Sequence, residues 1–333
     1  RTSTIMLDLT AGSAGLSAFM SNTATTAMMI TVIIPIIAKM ESGDPARIGI
    51  ALCIPFAANI GGIATPIGTP PNAVVIAALN QQGLTVAFGS WMMYALPLAV
   101  IMLLVAWQVL LRLHPPATNQ VSLDLDTKLQ TSGHAILLYF TFGTTVLLWV
   151  TEGIHGIKSS IVALFPVVVL TLSSAFSKQD IRKLPWEVLW LIAGGIALGI
   201  SMENTGLASW LVGGIAWGDL SSIMVLVVFG AVTLIMSNFL SNTVTASLLI
   251  PLALTLVTSG ALEGTFGMLL VGLVIALSAS FAMILPISTP PNAIAESTGV
   301  LKTKHMLLSG TIIGIIGLVL VLLLSVFYWP NII

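Results

Sequence analysis

The sequence predicts an all-α polytopic membrane protein built around an internal repeat, and three observations carry that prediction. Of 333 residues, 57% are hydrophobic and only 7% charged, and mean hydropathy is +1.07, whereas a soluble domain carries roughly a quarter charged residues. Apolar runs of membrane-spanning length recur along the chain. Inside such runs lie two polar interruptions that each occur twice. "FMSNTATTAM" at 19–28 returns as "FLSNTVTASL" at 239–248, and "ATPIGTPPNA" at 64–73 returns as "ILPISTPPNA" at 284–293. Both pairs are 220 residues apart, with six identities in twelve positions from residue 19 and seven in ten from residue 64. Two independent matches at one offset point to duplicated architecture.

Taken in order, residues 5–38 are apolar on both sides of Ser21-Asn22-Thr23, which predicts two short helical arms meeting at a polar tip. Residues 48–80 form a helix broken at "PIGTPPNA". Full-length spans are expected at about 91–113, 135–151, 158–176, 188–211 and 306–328, since about 20 apolar residues cross a bilayer. Residues 221–258, split at Ser241-Asn242-Thr243, and 267–297, split at "PISTPPNA", are the second hairpin and second broken helix. Broken helices in corresponding positions of two halves mark the binding site of a transporter.

If each hairpin enters and leaves on one side, five crossings separate the two, and the copies are inverted. The charges test this. Arg1, Lys39, Arg47, Arg112, Lys128, Lys178, Arg182, Lys183, Lys302 and Lys304 fall on one side and Lys158 alone on the other, so the first side is cytoplasmic. The C-terminal "YWPNII" is then external, in a multi-pass protein of the inner or plasma membrane. Three apolar segments precede the second hairpin and have no counterpart before Arg1. The repeat therefore leads us to expect an absent N-terminal part of roughly 100 residues, at about 20 per crossing plus loops.

Helices that stop at membrane depth leave backbone groups needing partners, so the breaks call for a resident ligand or water. Converging helix N-termini suit an anion. Exposed carbonyls beside Ser hydroxyls and Asn oxygens suit a small hard cation such as sodium. No Lys or Arg lies in the four broken stretches. Taken singly, a membrane Ser or Thr usually bonds the carbonyl four residues back, and paired prolines usually mark a kink. The duplication is what argues against those readings. The single cysteine, Cys53, excludes a disulfide framework. His114, His134, His155 and His305 fall in loops or at membrane borders, while Glu203 and Glu296 are the acidic residues expected to be partly buried. No nucleophile and base pair, metal-ligand cluster or phosphate loop appears at any of these stretches, which argues against an enzyme, and nothing points to nucleic acid.

Ser21-Asn22-Thr23 and Ser241-Asn242-Thr243, with Thr69-Pro70-Pro71-Asn72 and Thr289-Pro290-Pro291-Asn292, resemble the divalent anion/sodium symporter family, whose INDY-type members carry di- and tricarboxylates. The resemblance covers the whole chain. It implies sodium-coupled symport of a succinate-like C4-dicarboxylate, a homodimer, and an elevator-type cycle in which a transport domain moves against a scaffold. Residues 1–113 and 221–333 would form the transport domain, 135–211 the scaffold helices and 114–134 a cytoplasmic linker. Carried over, the first sodium site looks like Ser17, Ser21, Asn22 and Gly68, and the second like Ser237, Asn242, Ser288 and the Leu240 carbonyl. Substrate carboxylates would meet Asn22, Thr23, Asn242, Thr243, Thr289 and Pro290. Gly68 in one copy is Ser288 in the other, so the two cation sites need not be equivalent. A sodium/sulfate symporter would share these motifs. A sodium-independent exchanger is expected to place Lys, Arg or His where sodium sits, and none occurs there.

Overall fold

The computed structural model describes residues 2–117, 130–184, 186–207, 210, 220–258 and 264–333. Most of the expected 114–134 linker lies outside these, as does the side chain of Glu203. The described residues are helical, without strands. Helix α1 (Thr2–Ser17) and α2 (Asn22–Ala38) form the first hairpin. Then come α3 (Ala46–Gly61), a 3₁₀ turn (Gly62–Ala64), α4 (Pro70–Gln81) and the long α5 (Phe88–Leu113). The middle of the chain holds α6 (Gly133–Val150), α7 (Glu152–His155), α8 (Ser159–Val162), α9 (Leu164–Leu172), α10 (Lys178–Arg182) and α11 (Trp186–Asn204). The order of the first part then recurs. Helices α12 (Ser222–Phe239) and α13 (Asn242–Thr258) form the second hairpin, followed by α14 (Gly264–Ser280), a 3₁₀ turn (Pro286–Ser288), α15 (Pro290–Ser297) and α16 (Thr303–Phe327).

Among the described residues, five helical stretches are long and apolar enough to cross a membrane: Ala46–Ala64, Phe88–Leu113, Gly133–Val150, Ser222–Phe239 and Thr303–Asn331. The run expected as one span at 158–176 is a shorter apolar helix, Ser159–Leu172, whose hydrogen-bond ladder is interrupted at Ala163, a residue with helical dihedrals between α8 and α9. Pro166 is the reason: it has no N–H to offer the Val162 carbonyl four residues back, and its ring crowds that turn.

The two broken helices determine the packing. Helix α3 is buried almost throughout, against α1, α2 and α5, and α14 is enclosed by α12, α13 and α16. Beyond each break the chain leaves these neighbours and joins the other set. Helix α4 packs on α13 and α14, while α15 packs on α2 and α3. Both breaks thus lie where the two parts of the chain interlock. The outer helices α6 to α11 keep large apolar faces exposed, with Phe140 at 65%, Ile154 at 86% and Trp190 at 78%, as expected where lipid replaces water. Helix α6 touches the first part at two places. Phe142 meets Phe19 edge-on at 6.1 Å, and Trp149 stacks on Phe88 at 5.3 Å. Beside that stack, Glu152 Oε2 accepts the Phe88 N–H at 3.0 Å, a carboxylate at a helix N-terminus where the dipole favours negative charge.

Candidate functional site at the paired helix breaks

Ser21 and Ser241 lie at the tips, and each turns the chain into a new helix. The Ser21 hydroxyl accepts the Ala24 N–H and the Ser241 hydroxyl accepts the Val244 N–H, both at 3.2 Å. This is N-capping, which explains why a short hydroxyl residue stands where an apolar arm restarts. Both serines are exposed, so the sequence-derived candidate Ser21 is engaged with its own helix while the next residue turns inward.

Asn22 is that inward residue. The outer atom of its amide lies 2.6 Å from Ser17 Oγ, 3.2 Å from the Ala58 carbonyl and 3.1 Å from the Gly68 carbonyl. As nitrogen, that atom has two hydrogens for three oxygens. As oxygen, it completes a cluster of four oxygens with only the Ser17 hydrogen among them, and Ser17 Oγ also points at Ala58 O, 2.8 Å away. Three of the four residues predicted here, Ser17, Asn22 and Gly68, are brought together, and the Ala58 carbonyl joins them. Gly62 makes room, because a Cβ there would run into the Asn22 amide.

In the second copy, Ser237 Oγ and Asn242 Oδ1 are buried with no hydrogen-bond partner among the described residues. Leu240, also predicted, closes α12 in an extended conformation, which turns its carbonyl out of the helical ladder. Ser288 is occupied differently. Its Oγ accepts the Leu285 N–H at 3.1 Å and faces Asn238 O at 3.0 Å and Asn238 Oδ1 at 3.2 Å. Of the residues expected on the substrate side, Thr243 is buried at 8% exposed and Thr289 at 3%, whereas Thr23 and Pro290 are exposed. Thr289 caps α15 by accepting the Asn292 N–H at 3.3 Å, and Pro290 begins that helix, where a missing N–H costs nothing.

The broken backbone finds its partners largely within the protein, through the motif asparagines Asn72 and Asn292, which are not among the predicted ligands, and through Trp91 and Asn238, which sequence reasoning did not single out. Asn72 Nδ2 donates to the Gly62 and Thr65 carbonyls at 3.1 and 2.8 Å. Asn292 Nδ2 donates to the Met283 and Leu285 carbonyls, both at 3.0 Å. The Asn of each Thr-Pro-Pro-Asn motif thus ties the non-helical stretch to the helix that follows. Trp91 Nε1 adds a bond to Ile63 O at 3.0 Å, and Asn238 Oδ1 accepts the Ile284 N–H at 2.9 Å. In lipid each such group left unpaired costs several kcal/mol. Away from the breaks, Glu296 accepts a bond from Thr303. His114 lies at the end of α5 near His305, and burial, then the charge of that neighbour, pushes it down to about 4. Among the described residues no His/Cys/Asp/Glu cluster could hold a metal ion.

The family model of citrate transporters matches residues 1–276. An uncharacterized transporter of Haemophilus influenzae is 29% identical over 94% of this chain and 70% of its own length. The sodium-dependent high-affinity dicarboxylate transporter 3 of Caenorhabditis elegans is 30% identical over 96% of this chain and 66% of its own. The sodium-dependent dicarboxylate transporter SdcS of Staphylococcus aureus is 27% identical over 99% of this chain and 70% of its own. Together with the doubled Ser-Asn-Thr and Thr-Pro-Pro-Asn motifs, the match places the chain as a multi-pass membrane protein that belongs to the citrate transporter family.

Proposed function

We propose that the chain is a sodium-coupled symporter of C4-dicarboxylates such as succinate, working by an elevator-like movement of the two hairpins and broken helices against α6 to α11, in a homodimer. The observation that carries the cation side is the convergence of three oxygens, Ser17 Oγ and the Ala58 and Gly68 carbonyls, on the Asn22 amide. Without a cation the amide satisfies them by turning its nitrogen inward, and with a cation among them it would turn its oxygen inward instead. Sodium loading would then be coupled to the orientation of one amide. The second cation position is proposed at Ser237 Oγ and Asn242 Oδ1, which have no partner among the described residues, with Ser288 and the Leu240 carbonyl as its further proposed ligands.

The anion side rests on neutral donors. Thr243, at the second hairpin tip, and Thr289, at the second break, are buried hydroxyls, and Asn22, Thr23, Asn242 and Pro290 complete the proposed contacts. With no Lys or Arg in the broken stretches, helix N-termini and co-bound sodium would offset the substrate's charge. The relatives named for sodium-dependent dicarboxylate transport support both halves of this reading. The inverted arrangement of the copies, with the loop before α6 cytoplasmic and the C-terminus external, rests on the charge distribution.

Uptake of labelled succinate into proteoliposomes, with and without an inward sodium gradient, is the direct test. Concentrative uptake should require the gradient. Uptake of equal size without sodium, driven only by internal dicarboxylate, would replace symport with exchange.

A further inference from the structure

Asn59 is an amide in the last turn of the apolar helix α3, 1% exposed, where a polar side chain calls for an explanation. Its Nδ2 donates to Thr289 Oγ1 at 3.1 Å, a bond between residues 230 positions apart that joins the first broken helix to the second. Thr289 Oγ1 also accepts the Asn292 N–H at 3.3 Å. A hydroxyl has two acceptor lone pairs and one hydrogen. With both lone pairs occupied, Thr289 has only its hydrogen left, and that hydrogen finds no acceptor among the described residues.

We infer that Asn59 is a positioning residue that fixes Thr289 as a hydrogen-bond donor, so that this hydroxyl serves an anionic substrate and is unable to ligate sodium. A cation needs a free lone pair on oxygen, and a carboxylate needs a hydrogen pointed at it. Asn59 removes the first option and preserves the second. The inference rests on the proposed substrate role of Thr289 and adds a second residue that acts only through it.

The other copy supplies the contrast. Position 279, which corresponds to Asn59 at the 220-residue offset, is Ala, and Thr69, which corresponds to Thr289, precedes α4 without a side-chain cap bond. Its hydroxyl is not committed in the same way. The duplication therefore contains one threonine at a break whose polarity is fixed and one whose polarity is not. Asn59 makes that difference from the opposite half of the chain.

The test compares Asn59→Leu, Thr289→Val and the double variant in proteoliposomes, measuring the half-saturating succinate concentration at saturating sodium, the maximal rate, and the sodium dependence. Asn59→Leu keeps the size and removes both polar atoms. Each single variant should raise half-saturating succinate about tenfold, the loss expected of one charge-assisted bond, while shifting the sodium dependence far less. The double variant should be no worse than Thr289→Val. Additive losses, or a change confined to sodium dependence, would overturn the assignment of Asn59 while leaving Thr289 a substrate contact. A neutral Thr289→Val would overturn the substrate reading of that residue, and Asn59's role with it. Asn59→Asp guards against loss of folding and against the reverse polarity. It has the same shape and, once ionised, only accepts, so at a pH high enough to deprotonate the buried carboxyl it should take the Thr289 hydrogen and weaken succinate binding beyond the Leu variant. Wild-type succinate affinity in ionised Asn59→Asp would show that Asn59 accepts from Thr289, and would end the proposal.

Discussion

The two helix breaks reach one result by exchanging residues. In the first, Thr65 Oγ1 donates to the Ala18 carbonyl and accepts the Gly68 N–H at 3.2 Å. In the second, Leu285 replaces Thr65 and Ser288 replaces Gly68. The hydroxyl has moved three residues along the turn, yet Ser288 Oγ still donates to the Asn238 carbonyl, the counterpart of Ala18, and still accepts a backbone N–H, now from Leu285 at 3.1 Å. The contact is kept although neither residue that makes it is. The neighbouring oxygens behave differently: in the first copy they face one another around Asn22, and in the second Ser237 Oγ and Asn242 Oδ1 have no partner. The comparison separates the requirement common to both breaks, a clasped turn, from the feature free to diverge, the polar atoms beside it.

The largest expected effect contrasts the two threonines after the tip asparagines. Thr243 is buried and Thr23 exposed. Thr243→Ala should raise half-saturating succinate roughly ten- to a hundredfold, the range for losing a charge-assisted bond of about 1.5 to 3 kcal/mol. Thr23→Ala should cost several-fold less. Equal losses would show that both copies contact substrate alike.

Next comes the space around Asn22. Gly62→Ala would push a methyl group into the Asn22 amide, whereas the second copy already carries Ala282 at that position. We expect Gly62→Ala to raise the sodium requirement about tenfold or more, since a displaced amide withdraws one oxygen of a small shell and overpacking costs about 1–3 kcal/mol. Ala282→Gly should leave sodium dependence close to wild type. A sodium curve unchanged in Gly62→Ala would exclude Asn22 as a cation ligand.

The exchanged clasps should be interchangeable. Thr65→Val and Ser288→Ala each delete a donor and an acceptor from a buried turn, and each should destabilise the purified protein by about 1–3 kcal/mol. Leu285→Thr combined with Ser288→Gly rebuilds the first arrangement in the second break and should recover most of that loss. Thermal unfolding in detergent measures both. Failure of the rebuilt turn to recover stability would mean that Asn238, which stands where the first copy has Ala18, demands Ser288 specifically.

How much of this was legible in the sequence follows from the range of the contacts. The interruptions at Ser-Asn-Thr and Pro-Pro were legible because a cap and a missing N–H act within a turn. The grouping of Ser17, Asn22 and Gly68 came from the motifs and the resemblance they carry. Ala58, whose carbonyl faces Ser17 41 residues away, gave no signal, because every residue has a carbonyl. Asn59, Asn238 and Thr65 escaped for a related reason. Their counterparts are Ala279, Ala18 and Leu285, so a search for residues present in both copies passes over them. A signal was available: Asn59 and Asn238 are amides inside apolar runs, and such residues demand partners whether or not they recur. The division of 158–176 was marked by Pro166 and masked by the hydropathy of the whole run.

The smallest expected effect concerns the two serines that precede the tip asparagines by five residues. Both are fully buried, but Ser17 Oγ bonds while Ser237 Oγ has no partner. Ser17→Ala removes a made hydrogen bond to the Ala58 carbonyl, which keeps its bond from the Gly62 N–H, so in sodium-free buffer it should destabilise by about 1 kcal/mol. Ser237→Ala removes a hydroxyl that bonds to nothing, and its stability without sodium should match wild type or slightly exceed it, because the group's desolvation is no longer uncompensated. Adding sodium should reverse that order of merit. If Ser237 Oγ ligates the ion, the wild type gains stability by mass action as sodium rises, and Ser237→Ala gains less. Melting temperatures of the two variants across a sodium series, with choline holding ionic strength constant, would test this. A Ser237→Ala curve parallel to wild type at every sodium concentration would remove Ser237 from the cation shell.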